Sequence, residues 1–271
     1  MNHKRVLMEE MSWVEIQEAV KKGKTTVIVV SGSIEQHGPH LPTGTDTYLG
    51  YVIAERAALK LGHALVSPVI RPALSEHHLG FPGSLTLSWE TYFAVLEDYC
   101  TSLAGMGFTD LVLTSSHGGN TAVLTALFPD LAKALDGKIR VHLADYLPAG
   151  SEKQRPLLEK LGISRGKAGV HAGFGETAEM LAAKPHLVKM NSAKKGLDRE
   201  SFYDPRNIAR SQIDSFILGI KHFSPNGILG DPRGATAEIG EKLSEIMVEA
   251  LAQAISEAVG KKKRKAAGRK K

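Results

Sequence analysis

Thr25-Thr26-Val27-Ile28-Val29-Val30 is an almost unbroken β-branched run bounded by Gly23 and Gly32, the pattern of a strand buried on both faces of a parallel sheet. Ahead of it, Ser12 stands where it can cap a helix carrying Trp13, Ile16 and Val20 on one face. A second apolar run over 64–70 leads into a Pro- and Gly-rich stretch, Arg71 to Gly83, that reads as a long loop. Ser88 caps a further helix to about Ala104, Gly105 and Gly107 end it, and Leu111-Val112-Leu113-Thr114 follows as a strand. Beyond Ser115-Ser116-His117-Gly118-Gly119-Asn120 the pattern is helical through Ala126 to Leu135, and Ile139 to Ala144 supplies another strand.

The second half is less regular. It predicts a helix over 175–183, mostly loop from Lys184 to Gly234 with a helix near Ser211, and a long amphipathic helix over 235–259. The stripe of that last helix is Ile239, Leu243, Ile246, Met247, Ala250, Leu251 and Ile255. Helix and strand alternate with short connections, so the natural architecture is a parallel sheet covered on both faces.

Composition narrows the picture. With 271 residues, 42% hydrophobic and 23% charged, the chain has material for one packed domain, taken here as residues 1–260. A single cysteine, Cys100, excludes an intrachain disulfide and a cysteine-cluster metal site, so a bound metal must use His, Asp and Glu. No stretch reaches the roughly 18 to 20 apolar residues of a membrane-spanning helix, and Met1 to Ile16 lacks a signal-peptide core, which predicts a cytoplasmic protein without a membrane partner. Net charge is +5, but residues 261–271 hold eight positive charges and no negative one, so the remaining body is slightly acidic. Such a run can tether nucleic acid. Because it is terminal and lacks aromatic residues for base stacking, the expectation is a solvated, disordered tail and no nucleic-acid partner.

In open parallel sheets, ligands bind beyond the carboxyl ends of the strands. Three polar clusters fall at such places: Glu35 to Asp46, His117 to Asn120, and His171-Ala172-Gly173-Phe174-Gly175-Glu176. Glu35 and His37 are two apart and project to the same side of extended backbone, whereas Asp46 follows across a loop shaped by Gly38, Pro39, Pro42 and Gly44. A hydrolytic two-metal site needs such carboxylates and imidazoles, with one carboxylate bridging ions about 3.5 to 4 Å apart. His117 and Glu176 would close the site from other loops.

Ser31-Gly32-Ser33-Ile34-Glu35-Gln36-His37-Gly38-Pro39-His40-Leu41-Pro42 with Thr45-Asp46 is similar to the hallmark of the creatininase-like amidohydrolases. His78-Leu79-Gly80-Phe81-Pro82-Gly83, Ser116-His117-Gly118-Gly119-Asn120, His171-Ala172-Gly173 with Glu176-Thr177, and Gly230-Asp231-Pro232 match the family in order, so the resemblance spans about residues 10 to 258. It implies a three-layer α/β/α sandwich with a mostly parallel sheet, two divalent ions per subunit (Zn, Mn or Fe), and a homo-oligomer, usually a hexamer.

By position, the resemblance implies that Glu35 and His117 bind one ion, His37 the other, and Asp46 both. His171 corresponds to the histidine that handles the leaving-group proton. One departure stands out: creatinine-cleaving members carry a glutamate two residues after the histidine matching His117, where this chain has Gly119. Glu176 is the replacement ligand and a catalytic candidate. Ser75, Glu76, His77 and His78, with Gly118 and Gly119, are candidates for lining the substrate pocket.

The expected reaction is hydrolysis of a C–N bond in a small molecule. Hydroxide held by the ions attacks a carbonyl, His171 protonates the departing nitrogen, and backbone N–H groups near Gly118 and Gly119 help hold the oxyanion. Only Trp13 and Trp89 are available as tryptophans, neither near His171 in sequence, which disfavours creatinine. Other family chemistries remain open: deformylation, trimming of a peptide-derived cofactor precursor, hydrolysis of an inositol-derived diketone, or a non-catalytic scaffold with a nucleic-acid-binding tail.

Overall fold

The computed structural model describes residues 5–200 and 208–268. In chain order its main elements are α1 (Trp13–Lys21), β1 (Thr26–Ser31), α2 (Thr45–Leu61), β2 (Ala64–Val66), α3 (Trp89–Ala104), β3 (Asp110–Ser115) and α4 (Gly118–Ala134). Then come β4 (Arg140–Leu143), α5 (Leu147–Lys160), α6 (Arg165–Ala168), α7 (Phe174–Ala183), α8 (Ile208–Leu218), α9 (Ile220–Phe223) and α10 (Ala237–Gly268).

The four strands form one sheet in the order β2-β1-β3-β4, and every pairing is parallel. The register sets Thr26 beside Ala64 on one side and beside Asp110 on the other. Burial follows from the two-sided cover: Val27, Ile28, Val29, Leu111 and Val112 are fully enclosed. From β1 the chain steps outward to β2, then crosses back over β1 to β3. With right-handed crossovers this reversal sends α2 to one face and α3 and α4 to the other. Packing agrees, since α2 lies against α7 and α10, whereas α3 meets α4. The result is the three-layer α/β/α sandwich.

Several elements differ from the sequence reading. Ser12 caps α1 through a reciprocal capping box with Glu15, but Trp13 is 75% exposed and its face buries nothing completely. The segment after Gly44 is the 17-residue helix α2, so Asp46 sits in a helical first turn rather than a loop. The terminal helix does not stop near Val259: its backbone continues to Gly268 through most of the basic run set apart as a disordered tail, and 269–271 lie outside the described residues. Its apolar stripe does face the core, with Leu243, Met247, Ala250, Leu251 and Ile255 buried.

Candidate metal centre

Reversal of the strand order leaves a crevice beyond the carboxyl ends of β1 and β3, because their following segments turn to opposite faces. The segment after β1 folds back on itself there. Glu35 N donates to Thr43 O at 2.9 Å, His37 bridges to Leu41, and Gly38 takes a φ of 66° that a side chain would strain. Glu35 and His37 end up fully buried. Asp46 reaches the crevice from α2, held by the Ser33 hydroxyl on its carboxylate and by the Ser116 hydroxyl on its backbone carbonyl, 2.7 Å away. His117 enters from the end of β3, its N–H on Ser115 Oγ at 3.0 Å.

The third cluster docks from the far end of the chain. His171 Nε2 donates to the Gln36 backbone carbonyl at 2.7 Å. Ala172 takes a left-handed φ of 52°, and its N–H is given to Glu176 Oε2 as the chain enters α7. Glu176 therefore does satisfy a backbone N–H near a helix start, and at the same time stands 3.9 Å from His37 Nε2.

These side chains converge closely. His37 Nε2 lies 3.4 Å from Asp46 Oδ1, His117 Nδ1 3.5 Å from Asp46 Oδ2, and His117 Nε2 3.3 Å from Glu35 Oε2. Glu35, Asp46 and His117 form one compact donor group, and His37, Asp46 and Glu176 form another; Asp46 belongs to both. Glu35 with His37 and His171, and Glu35 with His77 and His78, make two overlapping groups. Backbone carbonyls orient three of the imidazoles from behind. His37 Nδ1 donates to Glu35 O at 3.1 Å and His117 Nε2 to Leu74 O at 2.9 Å, as His171 Nε2 does to Gln36 O. Each therefore turns its other nitrogen inward.

The charge balance is incomplete without a cation. Both carboxylate oxygens of Glu35 and Nε2 of His37 are buried with no hydrogen-bond partner. Burial, and then the charge of Asp46, hold the Glu35 carboxyl well above the usual carboxylate range. Burial and then Asp46 likewise push Glu176 up to about 7, against the pull of His37. Burial opposes charge on His37, but the Asp46 carboxylate and Glu176 outweigh it and carry the imidazole up to about 10. For Asp46, burial is outweighed by His37, His117 and the Ser33 hydroxyl, which hold it well below the ordinary range. Burial lowers His117, and lowers His78 and His171 strongly. Orphaned oxygens, inward lone pairs and crowded carboxylates fit divalent cations bound by mixed N and O donors.

Most of the remaining anticipated residues also border this centre. Ser75 is buried with an unpartnered Oγ, and His78 Nε2 lies 3.4 Å from Glu35 Oε1. Gly118 is exposed and Gly119 half-buried at the start of α4. His77, a candidate for lining the pocket, is joined by two contributors, Asn120 and Gln36, that received no role from the sequence. His77 stacks on His117 with centroids 5.8 Å apart and meets Phe216 of α8 at 4.4 Å. Asn120 donates to Gly32 O at 2.9 Å and accepts from Leu74 N at 3.1 Å, tying three loops together. Gln36 is wedged between His78 and His171. The available signal was their place inside the polar clusters, a Gln between two donors and an Asn ending Gly-Gly-Asn.

A parallel α/β/α sandwich with a buried carboxylate and imidazole centre at its switch point defines a metal-hydrolase type of protein. Residues 9–255 match the creatininase family model, described as creatinine amidohydrolase, and the chain belongs to that family of metal-dependent amidohydrolases. It is 30% identical over 233 residues to the mycofactocin precursor peptide peptidase of Mycobacterium ulcerans, covering 83% of this chain and 82% of that one. Creatinine amidohydrolase of Pseudomonas putida is 28% identical over 266 residues, 94% of this chain and 97% of its own. A crystal structure of creatinine amidohydrolase superposes with a TM-score of 0.72 at 25% identity, covering 94% and 98% of the two chains.

Proposed function

We propose that the chain is a divalent-cation-dependent hydrolase of an amide or cyclic amide C–N bond in a small molecule. In this reading Glu35, Asp46 and His117 hold one ion, and His37, Asp46 and Glu176 hold a second. The observation that carries it is the pair of buried donor groups sharing Asp46, with the inward atoms of Glu35 and His37 left without partners. Glu176 thus takes the ligand position that Gly119 leaves vacant. Zn, Mn or Fe all accept this donor set. A homo-hexameric assembly and a cytoplasmic setting belong to the same proposal.

When bound, such ions supply Lewis-acid polarisation of a carbonyl and lower the pKa of coordinated water. The chain's own residues do the rest. His171 turns Nδ1 toward the centre, 3.6 Å from Glu35 Oε1, where it takes up a proton and delivers it to the departing nitrogen. Gly118 and Gly119 open α4, and N–H groups in a first helical turn have no intrahelical partner, so they suit a developing oxyanion. Ser75 and His78 border Glu35 and line the substrate side.

Creatinine is disfavoured as substrate: Trp13 and Trp89 are 75% and 57% exposed, at the N-terminal ends of α1 and α3. Trimming of a short peptide is the second reading, supported by the likeness to the mycobacterial peptidase. Metal-loaded protein screened against cyclic ureides, formamides and short peptides tests both. Turnover in one class, lost on His171→Gln by about 10²- to 10⁴-fold with the ions retained, is expected. Full metal occupancy with no C–N hydrolysis in any class contradicts the reading.

A further inference from the structure

Gln36 stands between two histidines, and its own orientation is fixed by backbone. Its Oε1 accepts the N–H of Gly38 at 2.9 Å, and its Nε2 donates to Gly227 O at 3.1 Å. Rotating the amide by half a turn would set its oxygen against a carbonyl and its NH₂ against an N–H. The loop at Gly227 holds the amide closely: φ there is 77°, and a Cβ would lie 2.0 Å from Oε1. The group facing the two imidazoles is therefore NH₂, a donor with no lone pair to offer.

That placement determines where the imidazole protons sit. His171 Nε2 lies 3.0 Å from Gln36 Nε2 but 2.7 Å from Gln36 O, an acceptor only, so His171 carries its hydrogen on Nε2 and gives it to the carbonyl. The two hydrogens of Gln36 then go to Gly227 O and to His78 Nδ1, 3.0 Å away. His78 Nδ1 accepts, so the neutral ring bears its hydrogen on Nε2, which lies 3.4 Å from Glu35 Oε1. His117 and His171 have a carbonyl behind them and a lone pair in front. His78 has a donor behind it and an N–H in front.

We infer that Gln36 is a positioning residue that fixes His78 and His171 in the same Nε2–H tautomer but turned opposite ways, so that one carboxylate oxygen of Glu35 faces the protonated Nε2 of His78 and the bare Nδ1 of His171. His78 then presents an N–H to the Glu35 side of the centre, and His171 is the member of the pair that offers a lone pair to it. It follows that the group Glu35, His77 and His78 does not take a cation through His78 Nε2, although its donors lie as close together as those of the other groups. The tautomer assignment rests on the protein's own hydrogen bonds; only this exclusion of a cation rests on the metal-centre reading above.

Long-range ¹H–¹⁵N correlation of histidine-labelled, metal-free protein reads the tautomers directly, with His78→Asn used to assign the ring. His78 is expected in the Nε2–H form and His171 likewise, with both Nδ1 atoms unprotonated. In Gln36→Glu, which accepts where the amide donates, the His78 hydrogen is expected to appear on Nδ1. Gln36→Met, which removes the donor without adding charge, is expected to lose the fixed preference. An Nδ1–H tautomer of His78 in the unsubstituted protein overturns the inference without reference to any variant, as does a Gln36→Glu spectrum with His78 unchanged. Metal analysis separates the second claim: His78→Asn is expected to keep the metal-to-protein ratio of the parent, and loss of one ion contradicts it.

Discussion

A Cβ built on Gly119 lies 2.3 Å from Nε2 of His117 and 2.9 Å from Cε1 of His77. The residue that departs from the creatinine-cleaving pattern is thus packed so closely by two imidazoles that no side chain fits without moving His117. Gly119→Ala is expected to displace His117 from the bond its Nε2 makes to Leu74 O and to weaken cation binding about 10- to 100-fold. Competition against a calibrated chelator measures this, and unchanged affinity would show that His117 tolerates the shift.

Asp110 anchors the start of β3 to β4. Its carboxylate accepts from Arg140 Nε at 2.8 Å, Arg140 Nη2 at 2.6 Å and His142 Nε2 at 2.8 Å. Burial alone would raise this acid, but His142 and Arg140 outweigh it and hold it below the ordinary value of 3.8. A depressed folded value means that the contribution is complete above about 3.8 and is lost as pH falls below it. Asp110→Asn is expected to cost about 2 kcal/mol at neutral pH, less than a fully buried pair because Arg140 is half exposed. Denaturant midpoints that converge for the two proteins at acid pH check the sign.

Glu179 of α7 accepts from Gln154 of α5 at 2.9 Å, and the same amide donates to Leu243 O of α10 at 3.1 Å. Burial, and then the charge of Glu176, push Glu179 up to about 8. Here the folded value lies above the ordinary 4.5, so its contribution is complete below 4.5 and is lost as pH rises through about 8. Glu179→Gln, which cannot ionise, is expected to lose less stability than the parent between pH 5 and 9. Parallel stability curves for the two proteins would place Glu179 in its charged form throughout.

The sheet and the three clusters were readable because their signals are local. Val27 to Val30 and Leu111 to Leu113 are unbroken apolar runs, and their burial on both faces is what removes alternation from the sequence. Helix α2 was not legible: Asp46, Leu49, Gly50, Ile53, Ala54 and Ala57 are all buried, so no single stripe stands out. Gly50 breaks the pattern for a tertiary reason, since a Cβ there would lie 2.6 Å from Ser116 Oγ. In α5, Pro148 and Pro156 interrupt the helical signal, although Pro148 sits in the first turn where its missing N–H costs little. The roles of Gln36 and Asn120 depend on partners such as Gly227 and Leu74 that are remote in sequence. Which ligands pair with which, likewise, is a property of the fold: His37 meets Glu176 only after α7 docks beside the β1 loop.

In the proposed centre Asp46 serves two ion positions, while Glu35 with His117 and His37 with Glu176 each serve one. Metal-to-protein ratios of the purified parent, Asp46→Ala, His37→Ala and Glu176→Gln, measured by elemental analysis after exhaustive dialysis, test it most directly. The parent is expected to hold two ions, Asp46→Ala none, and His37→Ala and Glu176→Gln fewer than two, with turnover abolished in Asp46→Ala and His37→Ala. Full occupancy in Asp46→Ala or His37→Ala contradicts the assignment.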